Sequence, residues 1–213
     1  MEPLVRVRGI AVPLLQINID TDQIIPGPEI MRSTDESYAR WGTGLFANQR
    51  YLDLATHAPD PGFILNREPW SRGTILLADR NFGCGSSREP APKALRGFGF
   101  RVVIAPSFGG IFFGNSFRNG LLPVELPIEQ VRVLAAQMEA AGGQAEVEVD
   151  LEAQTVTAPD GTRFAFRSPP ALRRMLLDGL DEVGATLARG PEIAAFRARD
   201  RDRRPWAYAP GSA

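Results

Sequence analysis

The chain has 213 residues, of which 44% are hydrophobic, and this is enough to bury the core of one domain. Its 24 basic and 25 acidic side chains give a formal net charge of -1, so no overall field favours nucleic acid or a membrane surface. No apolar run approaches the roughly 18 residues that span a bilayer, and residues 1–10 lack the pattern of a secretory signal, so we expect a cytoplasmic protein.

The first half of the chain alternates apolar runs with turn-forming residues. β-branched residues at positions 5–15 predict one or two strands. Residues 18–40 are polar and interrupted by prolines and a glycine, which predicts an extended loop region. The next predicted elements are a buried strand at residues 74–78, a glycine-rich loop at 80–87, a helix at 88–96 and a second buried strand at 101–105. The order strand, helix, strand is typical of a βαβ unit and predicts parallel strands.

The second half predicts a helical C-terminal end. Apolar residues recur every three or four positions in residues 128–141, as in an amphipathic helix. The pair Asp160-Gly161 predicts a hairpin between strands at 155–158 and 162–166. The remaining predicted elements are helices at 108–117, 170–180 and 191–200 and strands at 121–126 and 146–150. We therefore predict an α/β fold with a mixed sheet, organised as one domain over residues 1–200 and a charged C-terminal tail over residues 201–213.

The glycine-rich loop carries the strongest functional signal, in the run NFGCGSSRE at residues 81–89. Its two glycines allow the backbone to approach a ligand closely. Ser86, Ser87 and Arg88 follow at the predicted start of a helix, where backbone N–H groups and the helix dipole favour an anion. The Arg88 guanidinium has donors suited to a carboxylate. The run predicts an anion-binding corner with two hydroxyl groups, and the simpler alternative is that Ser86 or Ser87 only caps the helix.

Other well-known loop signatures do not fit this run. It lacks the third glycine of a dinucleotide fingerprint, the Gly-Lys-Ser/Thr of a P-loop and the closing glycine of a nucleophile elbow. A Ser-His-Asp triad would need His57, which we place in a surface loop without a catalytic role.

The supply of metal ligands is small, because Cys84 is the only cysteine and His57 the only histidine. These two side chains cannot form a zinc site of the Cys/His type, and an iron–sulfur cluster takes about four cysteine thiolates. We therefore expect no metal or cofactor on this chain, so that any metal chemistry comes from elsewhere. Cys84 is expected to be a small buried loop residue, and no internal disulfide can form.

The run NFGCGSSRE resembles the signature of the aconitase and isopropylmalate isomerase superfamily, in its small-subunit or swivelling domain. Further motifs of that family follow in the family's order and extend the resemblance to most of the chain. They are at residues 18–26 (NIDTDQIIP), 102–108, 111–117, 119–124, 149–154 and 179–184. The resemblance implies a swivelling β/β/α domain.

The resemblance also implies a division of labour between two chains. A larger subunit would carry a [4Fe–4S] cluster, which polarises the hydroxyl that leaves a malate-type acid. Ser86 would be the base, Arg88 would bind a substrate carboxylate, Ser87 would help to hold substrate, and Asp22 would line the same site. A serine hydroxyl becomes an effective base only in a dry site lined with donors, which implies that the large subunit closes over the loop.

Two positions depart from the family pattern, which usually has His after Arg-Glu and often Trp three residues later. This chain has Pro90 and Lys93 there. The departure leaves the subfamily and the side group of the substrate open. Arg32 lies in residues 27–40, where the family reads that side group, and either pairs with a substrate carboxylate or is solvated.

Three functional hypotheses follow. The leading one is interconversion of 2-isopropylmalate and 3-isopropylmalate by dehydration and rehydration, in leucine biosynthesis. The second is a paralogous reaction on a related hydroxy-acid, as in homoaconitase or dimethylmalate dehydratase. The third is a non-catalytic module that binds carboxylates. None of the three involves nucleic acid or a membrane as a partner.

Overall fold

The computed structural model describes residues 1–32, 37–86 and 88–208, within which the strands form three sheets. The strands are β1 (Arg6–Gly9), β2 (Ala11–Leu14), β3 (Tyr51–Asp53), β4 (Ala58–Pro59), β5 (Ile75–Ala78), β6 (Val102–Ala105), β7 (Leu122–Glu125), β8 (Val147–Asp150), β9 (Thr155–Thr157) and β10 (Arg163–Ala165). A parallel sheet has the order β2-β5-β6-β7, an antiparallel sheet has the order β1-β8-β9-β10, and β3 pairs with β4. The parallel and antiparallel pairings of the predicted mixed sheet are thus divided between separate sheets.

Helices join the parallel strands and cover them. The helices are α1 (Thr21–Ile24), α2 (Gly27–Arg32), α3 (Tyr38–Thr43), α4 (Ala47–Arg50), α5 (Pro90–Phe98), α6 (Gly110–Arg118), α7 (Ile128–Ala140), α8 (Pro170–Asp178), α9 (Glu182–Leu187) and α10 (Gly190–Arg203). Helix α5 connects β5 to β6, and α6 connects β6 to β7, which confirms the predicted βαβ unit. The predicted hairpin is confirmed as β9 and β10.

Alternate residues of the parallel strands face two hydrophobic cores. In β5, Ile75 and Leu77 belong to one core and Leu76 and Ala78 to the other. The first core also contains residues of α7, β8 and β9, and the second contains residues of α1, α3 and α5. Because both faces are covered, every residue of β5 and β6 is buried, which explains their continuous apolar runs.

The prediction of an extended loop at residues 18–40 was wrong where the structure describes that stretch. Helices α1, α2 and the start of α3 lie there, and residues 33–36 are outside the described part. Asp20 and Gln23 form a capping box at α1: Asp20 Oδ1 accepts from the Gln23 N–H at 2.7 Å, and Gln23 Oε1 accepts from the Asp20 N–H at 3.1 Å. Pro28 is in the first turn of α2, where a missing N–H costs nothing.

The C-terminal helices also differ from the prediction. Helix α9 was not predicted, and it is capped by Asp181, whose Oδ1 accepts from the Gly184 N–H at 2.6 Å. Helix α10 does not end at residue 200, because Asp200 pairs with Arg204 at 2.7 Å and accepts from the Tyr208 hydroxyl at 2.9 Å. The division between a domain of residues 1–200 and a tail of residues 201–213 stays a prediction, and it falls inside this helix.

Helices α3 and α5 approach each other through two glycines. A Cβ atom on Gly42 would overlap the Gly97 backbone, and a Cβ atom on Gly97 would overlap the Tyr38 carbonyl oxygen. The contact therefore accepts no side chain on either helix. Helix α5 follows directly on the predicted functional loop. The contact between α3 and α5 therefore fixes the helix to which the C-terminal end of the loop is attached.

Candidate active site

The candidate site lies at the edge of the parallel sheet where its strands have their carboxyl ends. Residues 15–20 follow β2, residues 79–89 follow β5, and residues 106–109 follow β6. Because the three strands are parallel neighbours, these three segments meet at one edge. Ligands of open α/β sheets bind at such an edge.

The segment after β2 holds the loop from one side. Gly83 N–H donates to the Ile19 carbonyl at 2.7 Å, and Asp20 forms an isolated parallel bridge with Cys84. Asn81 Nδ2 donates to Asn18 Oδ1 at 2.9 Å. The loop therefore continues the parallel pairing of the sheet beyond the ends of its strands.

The segment after β6 holds the loop from the other side. Phe82 N–H donates to the Ser107 carbonyl at 3.1 Å, and Gly109 N–H donates to the Phe82 carbonyl at 2.9 Å. The Phe82 ring is fully buried and packs edge-on against the rings of Phe108 and Phe112. The three packed phenylalanine rings thus support the loop and hold it in place against the sheet.

Glycine is required where the loop turns over these phenylalanine rings. Gly83 has φ +71°, and a Cβ atom there would overlap the Phe112 ring. Gly85 has φ +87° and directly precedes Ser86. Both conformations lie in the left-handed region that favours glycine, as the sequence predicts.

Ser86 is exposed at the top of the loop, and its carbonyl accepts from Thr21 Oγ1 at 2.9 Å. Among the residues that the structure describes, none hydrogen-bonds the Ser86 hydroxyl. The helix that follows begins at Pro90, with Glu89 as its N-cap residue, rather than at Arg88 as predicted. Ser86 is therefore not a cap of this helix and lies before its first turn. Ser87 is outside the described residues.

Arg88 is paired with Asp22 across the site. Arg88 Nη1 lies 2.7 Å from Asp22 Oδ1, and the Arg88 side chain is 27% exposed while that of Asp22 is 58% exposed. Helix α2 begins beside this pair, since a Cβ atom on Gly27 would lie 3.9 Å from Arg88 Nη1. The structure therefore brings Ser86, Arg88 and Asp22 to one corner, and the family resemblance implies the same placement for Asp22.

The described contacts do not bring Arg32 to that corner. Arg32 Nη1 donates to the Leu54 carbonyl at 2.7 Å and lies 3.4 Å from the Glu29 carboxylate and 3.1 Å from His57 Nε2. His57 is half-buried in the turn between β3 and β4, where its ring stacks on Tyr51 with centroids 4.3 Å apart. These contacts tie α2 to the β3–β4 hairpin and give both side chains a structural task.

Thr21, whose hydroxyl donates to the Ser86 carbonyl, was not among the predicted site residues. The Asp-x-x-Gln spacing of Asp20 and Gln23 was the available signal, because it is a variant of the capping box that begins a helix. With α1 recognised, Thr21 would have been placed in its first turn, between the cap residue and Asp22.

The two departures from the family pattern have local explanations. Pro90 is the first residue of α5, where its missing N–H would have no helical partner. Lys93 Nζ lies 3.1 Å from the Glu89 carboxylate one turn earlier, so its charge is paired along the helix. Neither contact points to a changed substrate.

Among the residues that it describes, the structure brings together no more potential metal ligands at the site than the sequence predicted. In residues 1–32, 37–86 and 88–208, no group of three or more His, Cys, Asp or Glu side chains could hold a metal ion. The single half-buried thiol of Cys84 cannot replace the roughly four thiolates of an iron–sulfur cluster. The residues of this chain therefore do not fit a cluster of their own. No helix in these described ranges combines the length and apolar character needed to cross a membrane.

Comparison with known proteins identifies the family. The model of the aconitase C-terminal domain matches residues 1–129, and the LeuD_N model matches residues 132–167. A 3-isopropylmalate dehydratase small subunit from Cupriavidus necator is 48% identical over 211 residues, which cover 99% of this chain and 100% of the relative. This chain belongs to the 3-isopropylmalate dehydratase small-subunit family.

Two further comparisons agree with membership of the 3-isopropylmalate dehydratase small-subunit family. A small subunit of the same name from Shewanella oneidensis is 45% identical over 199 residues, covering 93% of this chain and 97% of the relative. The crystal structure of a 3-isopropylmalate dehydratase (leuD) from Methanocaldococcus jannaschii has a TM-score of 0.63 and 27% identity, covering 89% of this chain and 98% of that one. The predicted family and fold class are confirmed.

Proposed function

We propose that this chain is the small subunit of a 3-isopropylmalate dehydratase, a hydro-lyase of leucine biosynthesis that acts in the cytoplasm together with a large subunit. The observation that carries the proposal is the similarity to small subunits of this name over nearly the full length of both chains. The corner formed by Ser86, Arg88 and Asp22 supplies the chemistry that such a subunit needs. The interconversion of 2-isopropylmalate and 3-isopropylmalate removes water and adds it back in the opposite sense.

The roles of the corner residues follow from their chemistry. Ser86, as its alkoxide, removes a proton from the carbon next to the one that loses its hydroxyl group. The electron pair of that C–H bond becomes the carbon–carbon double bond as the hydroxyl group leaves, and the removed proton and the departing hydroxide together account for the water that is lost. Arg88 binds a substrate carboxylate with two or more N–H donors. Asp22 holds the Arg88 guanidinium at 2.7 Å and so sets its direction. Ser87 is assigned to substrate binding by the family resemblance. Arg32 is kept as a candidate partner of a substrate carboxylate because it lies in residues 27–40, and its contacts with Leu54 and His57 favour a structural role.

A large subunit is needed for two reasons. The [4Fe–4S] cluster of this chemistry requires about four thiolates, and this chain has one cysteine. In addition, Ser86 and Gly85 are exposed, and a serine base works only where water is excluded. We infer that the large subunit brings the cluster and covers the carboxyl edge of the parallel sheet.

The test is coexpression of this chain with the large subunit from the same genome, purification without oxygen, and an assay of isopropylmalate dehydration by absorbance of the unsaturated intermediate. Activity that requires both chains is the expected result. A cluster-containing complex that is active only on another hydroxy-acid would move the assignment to a paralogous dehydratase. Failure to form a complex would favour the carboxylate-binding module.

Exposed apolar side chains beside the loop predict where the large subunit docks. Ile17 and Ile111 are 50% and 57% exposed, and they flank the loop in the segment after β2 and in the first turn of α6. We expect Ile111→Arg to weaken the complex at least about 10-fold, because a charge would be buried without a partner. Titration of the tagged large subunit measures the dissociation constant.

Val133→Arg is the matched control for Ile111→Arg. Val133 is 42% exposed on α7, whose buried side chains belong to the first core, whereas the Phe82 ring of the loop belongs to the second. This variant should bind the large subunit as wild type does. Equal dissociation constants for both variants would show that the surface around Ile111 is not part of the interface with the large subunit.

Arg88→Lys tests the carboxylate-binding role. Lysine keeps the charge but loses the planar fork of donors that matches a carboxylate. We expect kcat/KM to fall about 10- to 100-fold, as for the loss of a hydrogen bond to a charged group, with most of the change in KM. Steady-state kinetics of the two-subunit enzyme measures it, and an unchanged KM would contradict the role.

A further inference from the structure

The first turn of α1 contacts the functional loop at three successive points. Thr21 N–H donates to the Cys84 carbonyl at 3.0 Å, and Thr21 Oγ1 donates to the Ser86 carbonyl at 2.9 Å. The next residue, Asp22, pairs with Arg88. A helix of four residues thus reaches both Ser86 and Arg88, which the family resemblance assigns to proton removal and carboxylate binding.

Thr21 is placed for this contact by its own surroundings. Thr21 is 1% exposed. The capping box between Asp20 and Gln23 spans Thr21 in sequence and stabilises the first turn of α1, to which Thr21 belongs. The buried Thr21 hydroxyl donates to the backbone carbonyl of Ser86, so it restrains Ser86 and leaves the Ser86 hydroxyl free for a ligand.

Ser86 needs such a restraint because of the residue before it. Gly85 has φ +87° and no side chain, so the backbone is freer to rotate there than at a residue with a Cβ atom. In the described parts of the chain, Thr21 is the residue whose donor binds the Ser86 carbonyl. The bond restrains the Ser86 carbonyl and, through it, the position of the Cα atom that carries the side chain with the hydroxyl.

We propose that Thr21 is a positioning residue that aims the Ser86 hydroxyl at the substrate, an inference that rests on the proposed function of Ser86. A displacement of about 1 Å at a reacting atom can cost on the order of 100-fold in rate. Thr21 acts on the proton-transfer step and not on carboxylate binding, because Asp22 and Arg88 form their pair independently of its hydroxyl. Its loss should therefore lower kcat and leave KM in place.

The test is Thr21→Val in the complex with the large subunit. Valine has nearly the same shape, keeps the N–H bond to the Cys84 carbonyl and removes only the hydroxyl. We expect kcat to fall about 10- to 100-fold, KM to stay within about twofold, and Thr21→Ser to restore most of the activity. A merely structural role would lower the amount of folded enzyme without this separation of kcat from KM.

Thr74→Val is the matched control, because the Thr74 hydroxyl is buried and none of the described residues hydrogen-bonds it. This variant should keep kcat. If Thr21→Val does not fold, Gln23→Ala is the alternative test. Gln23 is exposed, and the substitution removes its side-chain bond in the capping box that holds the first turn of α1. A lower kcat at unchanged KM then supports the inference, and an unchanged kcat overturns it.

Ser86→Ala, assayed alongside, distinguishes the two ways to fail. An active Ser86→Ala enzyme would refute the assignment of the base and the inference with it. An inactive Ser86→Ala enzyme together with a fully active Thr21→Val enzyme would overturn only the role of Thr21.

Discussion

Ser86→Ala is expected to abolish isopropylmalate dehydration by the two-subunit enzyme while the complex still forms. The hydroxyl is exposed at the top of the loop, and no described residue hydrogen-bonds it, so its removal costs the fold little. Loss of a positioned general base typically costs about 100- to 10,000-fold in rate. Anaerobic assay of the unsaturated intermediate measures the loss, and gel filtration with the large subunit measures assembly.

The matched control is Ser71→Ala, which removes a hydroxyl bonded to Glu68 on the surface at 2.7 Å. This variant should retain wild-type kcat, because its contact is local to one turn. Full activity of Ser86→Ala would show that another group removes the proton. Loss of the complex in Ser86→Ala would instead show that the loop is first of all an interface element.

Gly83→Ala is expected to be the most disruptive single change in the loop. The residue has φ +71°, and a Cβ atom would overlap the Phe112 ring. A left-handed conformation costs a non-glycine residue about 1–2 kcal/mol, and overpacking costs about 1–3 kcal/mol more. The free energy of unfolding should fall by about 2–5 kcal/mol, measured by urea unfolding of the free chain, and activity with the large subunit should fall with it.

Gly110→Ala is the control for this effect. A Cβ atom on Gly110 would meet no atom within 4 Å, and this glycine begins α6, where alanine is favourable. Its stability should equal or slightly exceed that of wild type. Equal stability of the two variants would show that the loop can rise off the Phe112 ring without cost.

The parallel core was predictable because its sequence signal is local. Strands β5 and β6 are buried on both faces, so each is a continuous apolar run that periodicity reveals. The amphipathic pattern of α7 and the Asp160-Gly161 turn are local in the same way. Helix α1 escaped prediction because four residues are too few for a periodic pattern, and only its capping residues mark it.

The candidate residues could be predicted from the sequence, but the contacts that join them could not. The run at residues 81–89 predicts Ser86 and Arg88 as site residues and the family motif predicts Asp22; the structure brings the three together, and their roles stay predictions. The contact between Thr21 and the Ser86 carbonyl joins residues 65 positions apart, which no local pattern reveals. Arg32 was predicted either to pair with a substrate carboxylate or to be solvated. Its contacts with Leu54 and His57 join α2 to the β3–β4 hairpin, and no local pattern reveals such a contact.

The glycine contact between α3 and α5 limits how substrate range could be re-engineered. A graft that exchanges residues 27–43 for those of a paralogous dehydratase would import a new α2 and a new α3, including position 42. The grafted α3 can seat on α5 only if Gly42 and Gly97 are retained as a pair, because either Cβ atom would lift the helices apart. Arg88 lies just before the first residue of α5. A chimaera in which α3 packs poorly on α5 would therefore misplace the arginine that is proposed to bind the substrate carboxylate, and it would lose activity whatever the new residues 27–43 recognise.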